Sequence, residues 1–393
     1  MDEFGGKTGW FLFLSHRSVE VWAGARPAER KGLFTARSYV ERTSELAMLD
    51  VEPEVRAALH VVTEMIGNPA RADAYDVCAA CRAIAAWAAG LERFDTARLF
   101  SEAAAMVVPN DARLLYEAGK YARQGANYPA AKRLLSLTLE VARRRADWGS
   151  YCRALSSLGI MHQRRGNFRT ARRYHFRCYR IARKRKVADV AGEAAHDLFT
   201  VAAEFGDSTV AEEWACLALD AYLTGHPRLL MLAHDVAFFW FERGDYAKAL
   251  SVFQALLPRF TKPSERVLVL SSIARCASIL GASAEFDSSS SETLAMVESA
   301  AAIELAAQSL LDLAHGAAQL KQWDLAERTA RRALDVARQR GEGRVQLEAE
   351  AVLDSAHRAR TVELGVAHGH SSDQRLWRLM MECLKELPGA VEG

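Results

Sequence analysis

The segment from Val141 to Lys186 holds fifteen lysines and arginines against one acid, Asp147, a local charge of +14 in a chain whose formal total is +2. The remaining residues therefore sum to −12. On a wheel of about 100 degrees per residue, Ala171, Tyr174, Cys178, Ile181 and Ala182 share one side and form a core stripe. Arg169, Arg172, Arg173, Arg177, Arg180, Arg183 and Lys184 fill an opposite arc of about 140 degrees, with Phe176 inside it and Tyr179 at its edge. This is the chemistry of capture. Guanidinium groups pair two-pronged with carboxylates or phosphates, and interleaved rings offer a stacking surface. Two ligand classes fit, single-stranded nucleic acid and an acidic protein segment. The structural alternative is a basic convex surface neutralised by acids on neighbouring elements.

Other chemistry-bearing patterns fail on spacing. Gly6-Lys7-Thr8 has the ending of a phosphate-binding loop, but the first glycine of that loop would fall on Met1, and no helical pattern follows at once. Cys78-x-x-Cys81 is a single pair inside a helical stretch, whereas zinc takes four ligands. His368 and His370 with Asp373 read as polar loop surface. No Gly-x-Ser-x-Gly or His-Glu-x-x-His stands in the chain. No catalytic residue, metal or cofactor is expected.

The elements that must position the cationic arc recur along the chain. Gly166-Asn167-Phe168-Arg169-Thr170-Ala171, Gly206-Asp207-Ser208-Thr209-Val210-Ala211 and Gly244-Asp245-Tyr246-Ala247-Lys248-Ala249 share one form, with variants around Phe94, Tyr128 and Trp323. Amphipathic stretches of about four turns flank each one. Glycine ends the first helix in the left-handed conformation, Asn or Asp caps the second, and the later Ala permits close helix approach. Each unit reads as helix, tight turn, helix, and must stack on its neighbours to bury its apolar faces.

These residues resemble the tetratricopeptide repeat family. Aligned on the turn, repeats start near Cys78, Ala112, Cys152, Gly192, Leu230, Val267 and Ala307; the first interval is 34 residues and later ones are 37 to 40. Ala fills the family's position 20 at residues 97, 131, 171, 211, 249 and 326, and Phe286 replaces it once. The resemblance implies an all-α, right-handed α-α superhelix of about seven helix-turn-helix repeats with flanking helices. Expected domains are residues 1–34 as an unassigned N-terminal segment, 35–77 as a helical pair, 78–340 as the solenoid, and 341–393 as closing helices and tail. Trp10 to Leu14 reads as a strand or a tucked segment, and the run Ser288 to Ser291 as a loosened turn or helix start. The stretches Arg344 to Glu363 and Gln374 to Leu387 read as closing helices.

In the family, positions 2, 5, 9 and 12 of the first helix line the concave groove. Mapped here they include Arg113, Tyr116, Lys120, Arg123 and Arg153 at a cationic front, and His196, His234 and Phe238 toward an aromatic rear. Ala195-His196-Asp197 and Ala233-His234-Asp235 repeat at 38 residues, which suits a structural pair with Asp holding the imidazole, or an anchor for a peptide.

The chain has 393 residues, half of them hydrophobic, enough for an ample core. Its apolar runs at Trp10 to Leu14 and Val236 to Phe241 are far short of a membrane span. The acidic start and seven scattered cysteines fit a reducing, cytoplasmic setting. The reading is a non-catalytic scaffold binding an extended, acidic peptide or protein segment in its groove. The alternatives are a nucleic-acid-binding repeat using residues 141–186, and a peptide- or effector-sensing regulator that acts through a separate output partner.

Overall fold

The computed structural model describes residues 3–222, 225–299, 304–359 and Met380, and among them there are eighteen α-helices and no strand. The chain divides after Ser157 into two compact units. The first holds α1 (Gly6–Gly24), α2 (Ala36–Ala47), α3 (Pro53–Gly67), α4 (Ala74–Gly90), α5 (Phe94–Val107), α6 (Ala112–Gln124) and α7 (Tyr128–Arg145), and the division falls within α8 (Trp148–Arg164). The second continues with α9 (Phe168–Arg185), α10 (Ala188–Glu204), α11 (Ser208–Ala221), α12 (Leu229–Glu242) and α13 (Tyr246–Leu256). It closes with α14 (Pro263–Ile279), α15 (Ser283–Ser299), α16 (Ala306–Gln319), α17 (Trp323–Arg340) and α18 (Gly343–Ala359). From α4 to α17 the helices form seven successive hairpins, the all-α repeat architecture read from the sequence.

Local chemistry explains each hairpin. The turn residue has positive φ in all seven: Glu92, Ala126, Gly166, Gly206, Gly244, Gly281 and Lys321. Asn127 and Asp207 then accept backbone N–H groups with their side chains and cap α7 and α11. The six position-20 alanines are fully buried, so helix axes approach without a side chain between them. Phe286 fills the same slot in α15, and its ring has space because Gly316 faces it: a Cβ at Gly316 would come within 2.7 Å of the ring.

Three local expectations are corrected. Trp10 to Leu14 is not a strand: it is part of α1, whose Phe11, Leu12, Val19 and Trp22 are buried in the core of the first unit. The Trp22 indole N–H donates to the Pro69 carbonyl at 2.7 Å, and Glu3 accepts N–H groups of Asp95 and Thr96 at the start of α5. A helix does follow Gly6 directly, although the loop glycine it would need is still absent. The serine run lies inside an unbroken α15, because Ser290 donates to the Phe286 carbonyl at 2.5 Å and Thr293 to that of Ser289 at 2.8 Å, which spares buried hydroxyls from going unpaired. His368, His370, Asp373 and the stretch Gln374 to Leu387 apart from Met380 lie outside the described residues.

Candidate functional site

Two surfaces of the second unit gather the chemistry. The first is built by the leading helices of successive hairpins, α10, α12, α14, α16 and α18, with the end of α8. Arg164 of α8 pairs with Glu304 at 2.7 Å and Glu342 at 3.7 Å. Arg344 of α18 pairs with Glu348 at 3.0 Å and with Glu204 of α10 at 3.7 Å. Residues 140 apart in sequence thus touch, which a flat stack of hairpins would not allow. Among the described residues the second unit curls until the end of α8 and the start of α18 meet, and the side on which these side chains of the leading helices meet is its inner face.

Along that inner face, the Arg275 guanidinium of α14 lies 4.8 Å from the Phe241 ring centre and 5.4 Å from that of Phe238, both on α12. It also donates to Asp312 of α16 at 2.9 Å. Burial, reinforced by neighbouring Glu204, pushes the Glu242 carboxyl up to about 7. Burial and then Arg275 push the His315 imidazole down to about 4. The face is therefore amphoteric and partly dehydrated, with an aromatic-backed cation at its centre.

Behind it runs a buried histidine–aspartate ladder. His175 of α9 lies 3.2 Å from Asp197 of α10, and Asp197 accepts from Arg228 at 2.8 Å. His196 meets Asp235 of the next hairpin at 2.9 Å and the Tyr222 hydroxyl at 3.3 Å. His234 meets Asp235 at 3.1 Å and the Ser272 hydroxyl of α14 at 3.1 Å. Burial opposes ionisation of both aspartates. Arg228 and His175 overcome it at Asp197, as hydrogen bonds from His196 and His234 do at Asp235, and both carboxyls are held well below the usual range. The His175 ring sits where a side chain on Gly159 would be: a Cβ there would come within 2.4 Å.

His196 and His234 were expected to line the groove. They are instead 1% and 4% exposed, with both ring nitrogens of each engaged inside the protein. The paired imidazole idea holds in altered form, since His196 is held by Asp235 and not by adjacent Asp197. Phe238 is half-buried, beside Arg275. In the first unit, Arg113 is exposed, Tyr116, Lys120 and Arg153 are half-buried, and Arg123 is buried. Lys120 lies 5.3 Å from the Tyr121 ring centre.

Arg164, Glu204, Glu242 and Arg344 escaped the sequence reading. The first three left a signal: each stands two residues before a turn glycine, Gly166, Gly206 and Gly244.

The second surface is the outer face of α9. Ala171, His175, Cys178 and Ala182 are buried, while Arg169, Arg172, Arg173, Phe176, Arg177 and Arg180 are exposed. Arg169, Arg172, Arg173 and Arg180 form no ion pair among the described residues. Arg169, Arg172, Arg173 and Phe176 border a depression of about 460 Å³ together with Phe205, the residue after α10.

Among the described residues no helix is long and apolar enough to cross a membrane, and no cluster of His, Cys, Asp or Glu is placed to hold a metal ion. Cys78 and Cys81 are free thiols raised by burial, as core side chains are.

Residues 154–188 match the tetratricopeptide repeat family. The chain carries tetratricopeptide-type repeats. Its fold is similar to the crystal structure of a Rap protein complexed with competence and sporulation factor, at 12% identity and a TM-score of 0.57, over 85% of this chain and 99% of that one. Aspartyl phosphate phosphatase F from Bacillus subtilis also aligns, at 12% identity and a TM-score of 0.42, over 92% of this chain and 97% of that one. No curated protein sequence matches the chain.

Proposed function

We propose that this tetratricopeptide-type protein is a non-catalytic scaffold that holds an extended peptide or protein segment along the inner face of its second unit. The observation that carries the reading is Arg275, stacked against Phe238 and Phe241 and steadied by Asp312. A guanidinium so backed keeps its charge, loses little freedom on binding, and offers an acidic side chain a charge-assisted hydrogen bond. Phe238 beside it gives an apolar side chain of the same segment a surface to bury. The inner acids Glu204 and Glu242 favour a segment whose acidic residues are confined to the Arg275 and Arg344 positions. The complex of the Rap protein with its factor supports the idea that this fold accommodates such a ligand. Free thiols at six described cysteines agree with a cytoplasmic setting.

Peptides selected by the wild-type protein from a random display library, with affinities then measured by fluorescence anisotropy, test the reading. Arg275→Ala and Phe238→Ala are each expected to weaken binding about tenfold or more, the equivalent of about 1.4 kcal/mol. Failure to enrich any peptide, or affinities unchanged in both variants, would contradict it.

A further inference from the structure

The outer face of α9 is a second exposed surface, built from residues that do not line the inner face. We infer that it docks an acidic amphipathic helix of another protein, with one apolar side chain seated between Phe176 and Phe205 and carboxylates on Arg169, Arg172, Arg173 and Arg180.

Four observations converge. First, these four arginines make no ion pair among the described residues, whereas Arg82, Arg228, Arg275 and Arg344 each sit on a carboxylate. A cluster of unpaired guanidiniums on one helix repels itself, and an arriving row of carboxylates relieves that repulsion.

Second, the spacing is helical. Positions 169, 172/173, 176 and 180 advance by three or four residues and form one row of about 16 Å along the axis at the usual rise. A helix laid alongside meets that row in register if acids stand at i, i+4 and i+11 and an apolar residue stands at i+7.

Third, the row is interrupted by a recess. Phe176 and Phe205 are each 46% exposed, and with three arginines they surround the depression of about 460 Å³. Phe205 is braced by Phe168, whose ring meets it edge-on at 6.4 Å. An apolar recess ringed by donors matches a single buried anchor with a charged rim, the usual anatomy of a docking hot spot.

Fourth, the cationic stripe is bounded on one flank. The neighbouring helix α11 contacts α9 through Trp214 against Tyr179, ring centres 4.9 Å apart, and it exposes Glu213 and Asp220. A nucleic-acid strand, charged at every nucleotide, gains most from a basic track wider than one helix. A protein helix carries acids on one stripe only and turns its other faces away from those carboxylates.

The probe is a fluorescein-labelled helical peptide of sixteen residues with Glu at i, i+4 and i+11 and Leu at i+7, titrated into the full-length protein. Its controls are the same peptide with Gln in place of Leu and a labelled single-stranded oligonucleotide of sixteen nucleotides. The Leu peptide is expected to bind about tenfold tighter than the Gln peptide and tighter than the oligonucleotide. Phe176→Ala should erase the Leu advantage, and the double variant Arg172→Glu, Arg173→Glu should abolish measurable binding. Because these side chains are exposed, both variants should keep the wild-type melting curve and the affinity for inner-face peptides selected as above. Absence of peptide binding, unchanged affinity in the double variant, or tighter binding of the oligonucleotide would each overturn the inference.

Discussion

Asp197 of α10 joins α9 to the start of α12. It accepts from Arg228 at the N-terminal cap of α12 and faces the fully buried His175 of α9, so losing its charge leaves two basic groups without their partner. Asp197→Asn keeps the shape and removes the charge, and is expected to cost about 3–5 kcal/mol, read as a lowered urea midpoint. The pH dependence has a definite sign. Because the folded carboxyl titrates below its unfolded value, its contribution is complete above the ordinary carboxylate range and is lost progressively as pH falls from that range toward the lower folded value. The wild type should lose stability in acid more steeply than the Asn variant; parallel curves would contradict this. The 38-residue recurrence of His-Asp was visible in the sequence, but the partners were not. Periodicity places His196 and Asp197 side by side, whereas the stagger between hairpins sends His196 to Asp235 and leaves Asp197 for His175. That stagger depends on packing across helices, which no single helical pattern encodes.

At the scale of the helical hairpin, backbone conformation at the turn is the common requirement. Glycine meets it in four hairpins, and Glu92, Ala126 and Lys321 meet it against the preference of residues with a Cβ. Ala126, at φ of 59°, contributes little else. Ala126→Gly is therefore expected to stabilise the first unit by about 0.5–1 kcal/mol, the relief of strain exceeding the added freedom of the unfolded chain. A lowered unfolding midpoint would count against this account of the turn. The glycine turns were legible because the residue announces the conformation. The other three were found only by alignment, and the serine run was misread because its polarity suggested a turn while its hydroxyls satisfy the helix itself. α1 was illegible for a related reason: its apolar residues surround the helix, with Trp10 and Phe13 exposed and Phe11 and Leu12 buried, so no clean stripe marks it.

For the whole molecule, repeat architecture followed from short-range patterns, but the curl of the second unit did not. It depends on small rotations accumulated over five hairpins and is sealed by pairs such as Arg164 with Glu304, which lie far apart in the chain. The expected groove was thus assigned in part to residues that face the core, His196 and His234, while the inner charges Glu204, Glu242 and Arg344 went unread. The central claim is that this face, not the outer surface of α9, receives the extended segment. Hydrogen–deuterium exchange of the full-length protein, with and without a display-selected peptide, tests it most directly. The account predicts the largest slowing in residues 229–242 and 263–279, with residues 168–185 unchanged; slowing centred on residues 168–185, or none in the two inner helices, would contradict it.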